Sequence, residues 1–331
     1  MKKSAIAVAV AAVLAAPVAL ADVSISGQLQ TQVVSYGGDA GGQNGNGLYV
    51  TDGGMADTGA NAGNWGAINV VASEDLGDGM KALAKYAFNV NTGAGIGTRE
   101  AYVGLAGGFG AVLGGRLNHP YKTSTIGWDP FVATFMQARG NGGMAAGLYG
   151  AEIDNALAYA GSFGAAKVVA AIVVDEANDP TATNDTYGNH AMSFSVNAPV
   201  GPVELALAYI DLSEMAGGAK DASAMKVGVK WTSGDFTVAG QMESLDKGLG
   251  DDDVMYVTGS YKMGSNTVSV SYGSTGKKIY APVATDDVTY IALGVNHAMS
   301  KNTSAFVGFR STDAGTGTDE TAIGGGLRVK F

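Results

Sequence analysis

The stretch Val23-Ser24-Ile25-Ser26-Gly27-Gln28-Leu29-Gln30-Thr31-Gln32-Val33 is a ribbon with two faces: Val23, Ile25, Leu29 and Val33 fall on one side, Ser24, Ser26, Gln28, Gln30 and Gln32 on the other. A period of two is what an extended chain shows when one face meets an apolar phase and the other meets water. The pattern returns at Val203, Leu205, Leu207 and Tyr209 against Glu204, and at Met225, Val227, Val229 and Trp231 against Lys226 and Lys230. It returns again at Val268, Val270 and Tyr272 against Ser269 and Ser271, and finally at Ile323, Leu327, Val329 and Phe331 against Arg328 and Lys330.

Such ribbons suit either a soluble sandwich with its apolar side inward or a membrane barrel with its apolar side toward lipid. The connections decide. Long, polar, Gly-rich stretches fall near 38–63, 91–98, 118–151, 176–188, 213–221, 246–252, 275–286 and 313–319. Tight ones alternate with them at Asp75–Gly79, Gly107–Gly108, Gly161–Gly164, Ala198–Pro202, Thr232–Gly234, Met263–Ser265 and His297–Lys301. Eight long and seven short connections predict sixteen antiparallel strands in an all-β transmembrane barrel, with short turns at the periplasm and long loops outside. Pro120, Pro130, Pro180, Pro199, Pro202 and Pro282 all lie in or beside these connections, where a missing N–H breaks no ladder.

Residues 1–21 read as a cleaved signal peptide: Lys2 and Lys3, an apolar run from Ala5 to Ala16, then the small-x-small pattern Ala19-Leu20-Ala21. The exported domain is then residues 22–331, and without Lys2 and Lys3 it holds 18 basic against 30 acidic residues, a formal charge of −12. Nucleic acid is not an expected partner of so acidic a chain. With no cysteine, disulfides, thiolate metal sites and cysteine nucleophiles are excluded together. The 51 glycines disfavour long helices, and the longest aliphatic run of the exported chain, Val168 to Val174, is too short for a helical span, so any membrane crossing must be made by strands.

The segments Ser73-Glu74-Asp75-Leu76-Gly77-Asp78-Gly79-Met80-Lys81-Ala82, Thr98-Arg99-Glu100-Ala101-Tyr102-Val103-Gly104-Leu105-Ala106-Gly107-Gly108-Phe109-Gly110 and Gly115-Arg116 resemble the Gram-negative trimeric general porins. The resemblance implies a sixteen-stranded barrel, a homotrimer in the outer membrane, and a third long loop folded into the lumen to make a constriction. It also implies a wall of basic side chains, with Arg99 and Arg116 at the family's positions; period two adds Lys81 and Lys85 on one strand face. The terminal Phe331 resembles the signal read by the barrel-assembly machinery. Where family members often carry wall arginines, this chain has Ala67 and Ala158. Together with the charge of −12, that departure predicts a wider, weakly cation-preferring pore.

The connection from Asn118 to Ala151 is the longest and carries Trp128, Phe131, Phe135 and Met136, too much apolar bulk to face water. It packs either inside the barrel or on a neighbouring subunit, and its Asp129 is the acid expected to face a passing solute. Other acids gather in the loops: Asp175, Glu176, Asp179 and Asp185; Asp251, Asp252 and Asp253; Asp286 and Asp287; Asp313, Asp319 and Glu320. They read as solvated loop surface, with Asp251, Asp252 and Asp253 as weak candidates for a divalent cation bridging to lipopolysaccharide. His119, His190 and His297 sit in or beside connections without ligand spacing, and read as turn or rim residues. Gly93-Ala94-Gly95-Ile96-Gly97 lacks both a following helix and a P-loop lysine, and no G-x-S-x-G occurs.

The expected function is passive diffusion of small hydrophilic solutes and ions across the outer membrane, with no enzymatic activity and no cofactor, and with membrane lipid and lipopolysaccharide around the barrel. Rival readings are a substrate-specific channel, a plugged structural or adhesive barrel, and a lipid-modifying enzyme barrel.

Overall fold

The computed structural model describes residues 21–38, 46–52, 66–90, 96–145, 148–149, 152–175, 189–214, 222–246, 252–276, 287–314 and 319–331. Residues 1–20 of the expected signal peptide, Glu176, Asp179, Asp185, Asp251 and Asp286 therefore lie outside the described residues.

The strands are β1 (Asp22–Gly38), β2 (Gly47–Thr51), β3 (Ala67–Gly77), β4 (Met80–Val90), β5 (Ile96–Gly107), β6 (Gly110–Leu117), β7 (Ile153–Phe163), β8 (Ala166–Asp175) and β9 (Asn189–Val200). There follow β10 (Val203–Glu214), β11 (Ser223–Ser233), β12 (Phe236–Asp246), β13 (Asp252–Met263), β14 (Asn266–Thr275), β15 (Val288–Ala298), β16 (Thr303–Asp313) and β17 (Glu320–Lys330). Every neighbouring pair is antiparallel, and the sheet closes where β1 meets β17, from Gln28 opposite Lys330 to Gly38 opposite Glu320.

The other edge of β1 takes two partners in line: Asp22–Gln28 pairs with β3 and Gln32–Tyr36 with β2. β2 and β3 are thus two pieces of one stave, and seventeen segments make a sixteen-stave barrel. β2 falls inside the first long connection expected from the sequence. Its residues Gly-Leu-Tyr-Val-Thr are too few to stand out by periodicity, yet they alternate correctly, with Leu48 and Val50 exposed and Tyr49 half-buried. All seven tight turns stand where the sequence places them, and five of them contain a glycine with positive φ: Gly79, Gly164, Gly201, Gly234 and Gly264.

The apolar face points outward. Val23, Ile25, Leu29 and Val33 are 61, 67, 40 and 47 % exposed, while Gln30 and Gln32 between them are nearly fully buried. That inversion of ordinary burial is what a hydrocarbon surround requires, because a closed sheet leaves no backbone group unpaired in lipid. Near the tight turns the outer surface carries exposed Phe109, Phe163, Trp231, Phe236, Tyr261 and Phe331, an aromatic girdle at one membrane interface.

The core lies inside the barrel, and the long connection after β6 supplies much of it. That segment opens with the one-turn helix α1 (Pro120–Thr123), whose N-cap His119 accepts a hydrogen bond from the Lys122 amide through Nδ1. Tyr121, Phe131, Phe135, Met136, Met144, Leu148 and Tyr149 from the segment are buried against inward Val34, Tyr36, Ile210, Leu245, Tyr256, Tyr290 and Phe306. The loop folds into its own barrel, and the alternative of packing these side chains on a neighbouring subunit is not what the chain does.

Candidate functional site

The inner loop is held to the wall along a wide arc. Gln30 Nε2 donates to the Ala133 carbonyl at 2.5 Å, Gln32 Oε1 accepts from the Phe135 amide at 3.1 Å, and Arg328 donates to Val132. Further round, Thr312 and Thr275 donate to the carbonyls of Asn141 and Gly142, and Tyr290 donates to Met136. Ala133 has φ +67°, a costly conformation for a residue with a Cβ, but its N–H is taken by Gln137 and its carbonyl by Gln30, so both sides fix it.

On the opposite flank Lys226 of β11 is 1 % exposed. Its Nζ donates to the Tyr121 carbonyl at 2.5 Å and the Tyr149 hydroxyl at 2.6 Å, and lies 4.0 and 4.5 Å from the centres of those two rings. Glu243, its register partner on β12, accepts from the Tyr121 hydroxyl at 2.8 Å and from Gln241 at 2.9 Å. A buried cation and a buried anion are thus both satisfied by the loop they hold.

Glycine makes room for this docking. A Cβ built on Gly308 would lie 2.2 Å from the Met136 sulfur and 2.4 Å from the Leu293 carbonyl oxygen. We expect Gly308→Val to lift the inner loop from the wall, lowering thermal stability by about 1–3 kcal/mol, the usual cost of overpacking. Heat-modified gel mobility and single-channel noise would register the change, and wild-type behaviour in both would count against the placement of Met136.

Asp129, expected to face the solute, does not: it is 2 % exposed. Its carboxylate accepts from the amides of Phe131 at 2.9 Å and Ala138 at 2.8 Å and from the Tyr256 hydroxyl at 3.1 Å, so it organises the loop instead. Burial pushes its pKa up to about 6, against the opposing pull of those hydrogen bonds. A carboxyl group with a folded pKa above its ordinary 3.8 holds its proton more tightly when docked. Docking is therefore at full strength below about pH 4 and loses strength as pH rises through 6. Current fluctuations from the loop should grow across that window in the wild type and not in Asp129→Asn.

His119 is likewise a correction, since it is buried rather than at a rim, and burial first, with Lys122 and Lys226 next, pulls its pKa down to about 3. His297 is exposed beside Asn266, as expected of a turn residue. Glu320 is no solvated loop acid either: it is buried in an ion pair with Arg310. Asp252 accepts from the Asp253 amide, and among the described residues no three ligating side chains gather for a metal.

The basic candidates are brought together by two irregularities. Ala87 pairs with Glu100 and Phe88 with Thr98, which leaves Arg99 as the extra residue of a bulge. Across the β6–β7 ladder Gly115 pairs with Ala156 and Leu117 with Ile153, a second bulge in which Asn155 takes φ +51°. Both disturb the alternation beside the entry to the inner loop. There Glu152 receives Lys122 at 3.2 Å, Arg116 at 3.6 Å and Arg99 at 3.8 Å, while Asp154 takes Arg116 at 2.7 Å. Lys85 pairs with Glu100 at 2.5 Å. Burial lowers the pKa of Lys122 to about 8, with Glu152 opposing. Lys81 shares the inward face of Lys85 but stands four residues nearer the tight turn, in register with Asp75.

Glu100, Glu152, Lys226 and Glu243 carry this architecture, and the sequence singles out none of them as a site residue, although it places Lys226 on the polar face of its strand. Glu100 was within reach, since it stands in the same quoted segment as Arg99. Inward positions on the far wall, such as Ala208, Lys226, Gln241 and Tyr256, are buried under the loop, whereas Asn69, Val71, Lys85, Glu100 and Tyr102 on β3 to β5 keep partial exposure. The water-accessible strip of inner wall therefore runs along β3 to β5, beside the basic cluster. The cation preference expected from the chain's total charge is not supported, because much of that negative charge sits far from this strip. Asp252 and Asp253 lie at the loop end of β13 and Asp313 at the loop end of β16, neither of them a strand of this strip. At about 0.15 M salt a charge is largely screened beyond about 8 Å.

A family model described as Gram-negative porin matches residues 6–317. The chain is 27 % identical to the major outer membrane protein P.IB of Neisseria gonorrhoeae over the full length of both, and 28 % identical to the outer membrane porin protein 32 of Delftia acidovorans over 92 % of this chain and 88 % of that one. In fold it is similar to an anion-selective porin from Comamonas acidovorans, with TM-score 0.74 and 22 % identity over 94 % of this chain and all of that one. It is similar also to the trimer form of OmpT from Vibrio cholerae, with TM-score 0.67 and 17 % identity over 94 % of this chain and 99 % of that one. With an apolar outer face, a closed sixteen-stave sheet and a loop docked within, the chain belongs to the Gram-negative porins and is an outer-membrane β-barrel channel protein.

Proposed function

We propose that the barrel passes small hydrophilic solutes and ions passively along the strip of inner wall beside the docked loop, with a neutral to anion-leaning preference and no catalytic step. One observation carries the reading: Lys85, Arg99, Arg116 and Lys122 stand at this passage against Glu100, Glu152 and Asp154. Four cations against three acids leave a local surplus of positive charge in a chain that is acidic overall. Ordered charges of both signs also hold water, which disfavours apolar solutes. Lys81 contributes nearer the turn end, and Asp129 acts by shaping the loop edge.

The test is the zero-current potential in a potassium chloride gradient across a planar bilayer. A potential near zero or displaced toward the chloride equilibrium value is expected; a strong potassium preference would overturn the charge argument, and absence of conductance steps would favour a plugged barrel. The assembly proposed is a homotrimer, in keeping with the family, which should migrate as one band of about three chain masses on unheated gels. Export is proposed to remove residues 1–21, so N-terminal sequencing of the membrane protein should begin at Asp22.

A further inference from the structure

We infer that the docked loop and the wall of β14 to β17 form a subsite for small amphipathic anions, a carboxylate carried on an apolar body. The site is a cleft of about 320 Å³ between Phe131 and Met136 of the loop and Phe306, Arg328 and Lys330 of the wall. The inference rests on the reading that small solutes enter the lumen, and it places a stopping point on the wall away from the β3–β5 strip.

Register puts the cleft inside the barrel. Thr267 stands opposite Asn296, Asn296 opposite Phe306, and Phe306 opposite Gly326, which faces the inward Gln32. Ser304 stands opposite Arg328, which faces the inward Gln30. The loop covers this wall only part-way. A Cβ on Gly294 would lie 2.9 Å from both the Met136 sulfur and the Phe131 ring, so the loop is seated at that level. Nearer the tight turns Asn296 and Lys330 are exposed, as is Pro130 at the lip of the loop.

The lining separates into two parts. Phe131, Met136 and Phe306, all buried, make an apolar floor. Arg328 and Lys330 supply two positive charges, and no acid is among the lining residues. Neutral groups aim Arg328: its Nε donates to Gln30 Oε1 at 2.7 Å and its Nη2 to the Val132 carbonyl at 3.3 Å, which hold the guanidinium without cancelling its charge. The two carboxyl groups that adjoin the cleft in sequence are turned elsewhere. Asp129 accepts from the amides of Phe131 and Ala138, and the chain-terminal Phe331 accepts from the Gly27 amide at 2.9 Å. Gly27 belongs to β1, whereas the cleft opens on the β16 edge of β17. The side chains of Thr267, Asn296, Ser304 and Lys330 make no hydrogen bond or ion pair among the described residues. A ligand carboxylate can therefore settle on Lys330 and the Asn296 amide while its apolar body lies on Phe131 and Phe306. The volume is at the lower end of the range of small-molecule sites.

The experiment measures equilibrium binding of phenylacetate to the full-length protein in lipid nanodiscs, with empty discs as the blank. Acetate has the charge without the ring, and benzyl alcohol the ring without the charge. Phenylacetate binding should saturate, and both comparison compounds should bind about tenfold more weakly or worse. Lys330→Gln should raise the half-saturating phenylacetate concentration about fivefold, the loss of one charge-assisted contact in a partly wet site. Ser304→Leu, which narrows the cleft and alters no charge, should do the same and guards against an assembly effect at the chain end. Phenylacetate binding no tighter than that of acetate or of benzyl alcohol, or binding unaffected by both variants, would overturn the subsite alone. Absence of conductance steps when the same preparation is placed in planar bilayers would overturn the transport reading instead.

Discussion

Lys226→Ala is expected to undock the inner loop, at a cost on the order of 3–5 kcal/mol, the range for removing one partner from a buried charged network. The deleted ammonium group donates to the Tyr121 carbonyl and the Tyr149 hydroxyl and lies over both rings, so four contacts to the loop go at once. What remains is worse than a void. Glu243 opposite it stays 1 % exposed, with the nearest cation of its own sheet removed. The barrel itself should persist, since its ladders are closed without the loop. The measurement is therefore local: amide exchange at Tyr121, whose N–H donates to the Ser193 hydroxyl at 2.9 Å, together with proteolysis between β6 and β7 and single-channel noise. Lys226→Met combined with Glu243→Gln should recover more than half of the loss, because the uncompensated charge goes with the cation. If Lys226→Ala left exchange at Tyr121 unchanged, the anchor would not be where the loop is held.

The barrel was legible because lipid enforces a strict rule. The outward side chains of β1 meet hydrocarbon, so Val23, Ile25, Leu29 and Val33 recur at every second place apart from Gly27 and Thr31, and tight turns must bring the chain straight back, which is why glycines mark most of them. The inner loop obeys no such rule. Its apolar side chains announced that it packs, but nothing in Trp128 or Met136 says against what, and the wall glycines that receive it, such as Gly308, look like any others in a chain with 51. Asp129 illustrates the limit: a lone acid in an apolar loop reads equally as a charge displayed to solutes or as a carboxylate tying amides together, and only the distances to Phe131 and Ala138 separate the two.

Bulges set a second limit. Strict alternation would put Arg99 and Glu100 on opposite faces, and a one-residue shift of register is invisible in composition. Summing charge over the chain failed for a related reason. Selectivity responds to charges within a screening length of the path, while the sum weights Asp252 at a strand end as heavily as Glu152 beside Arg99.

Replacing Lys85, Arg99 and Arg116 together by glutamine should turn the channel toward cations. Each carries one unit of charge at the open strip, and a unit charge about 8 Å from a passing ion in a water-like medium contributes about 0.5 kcal/mol. Three such terms sum to about 1.5 kcal/mol, slightly more than the 1.4 kcal/mol that makes a tenfold difference in local ion concentration, opposite in sign for potassium and chloride. Glu100, Glu152 and Asp154 then face the passage with Lys122 alone still pairing Glu152 at 3.2 Å. The fold should tolerate the change, because the four ion pairs are partly exposed and surface pairs of this sort contribute about 0–1 kcal/mol each. The zero-current potential in a potassium chloride gradient should move by tens of millivolts toward the potassium value, most strongly at low salt where screening is weak. A potential that stayed fixed across 0.01 to 1 M salt would mean that ions bypass this cluster, and would relocate the passage away from the β3–β5 wall.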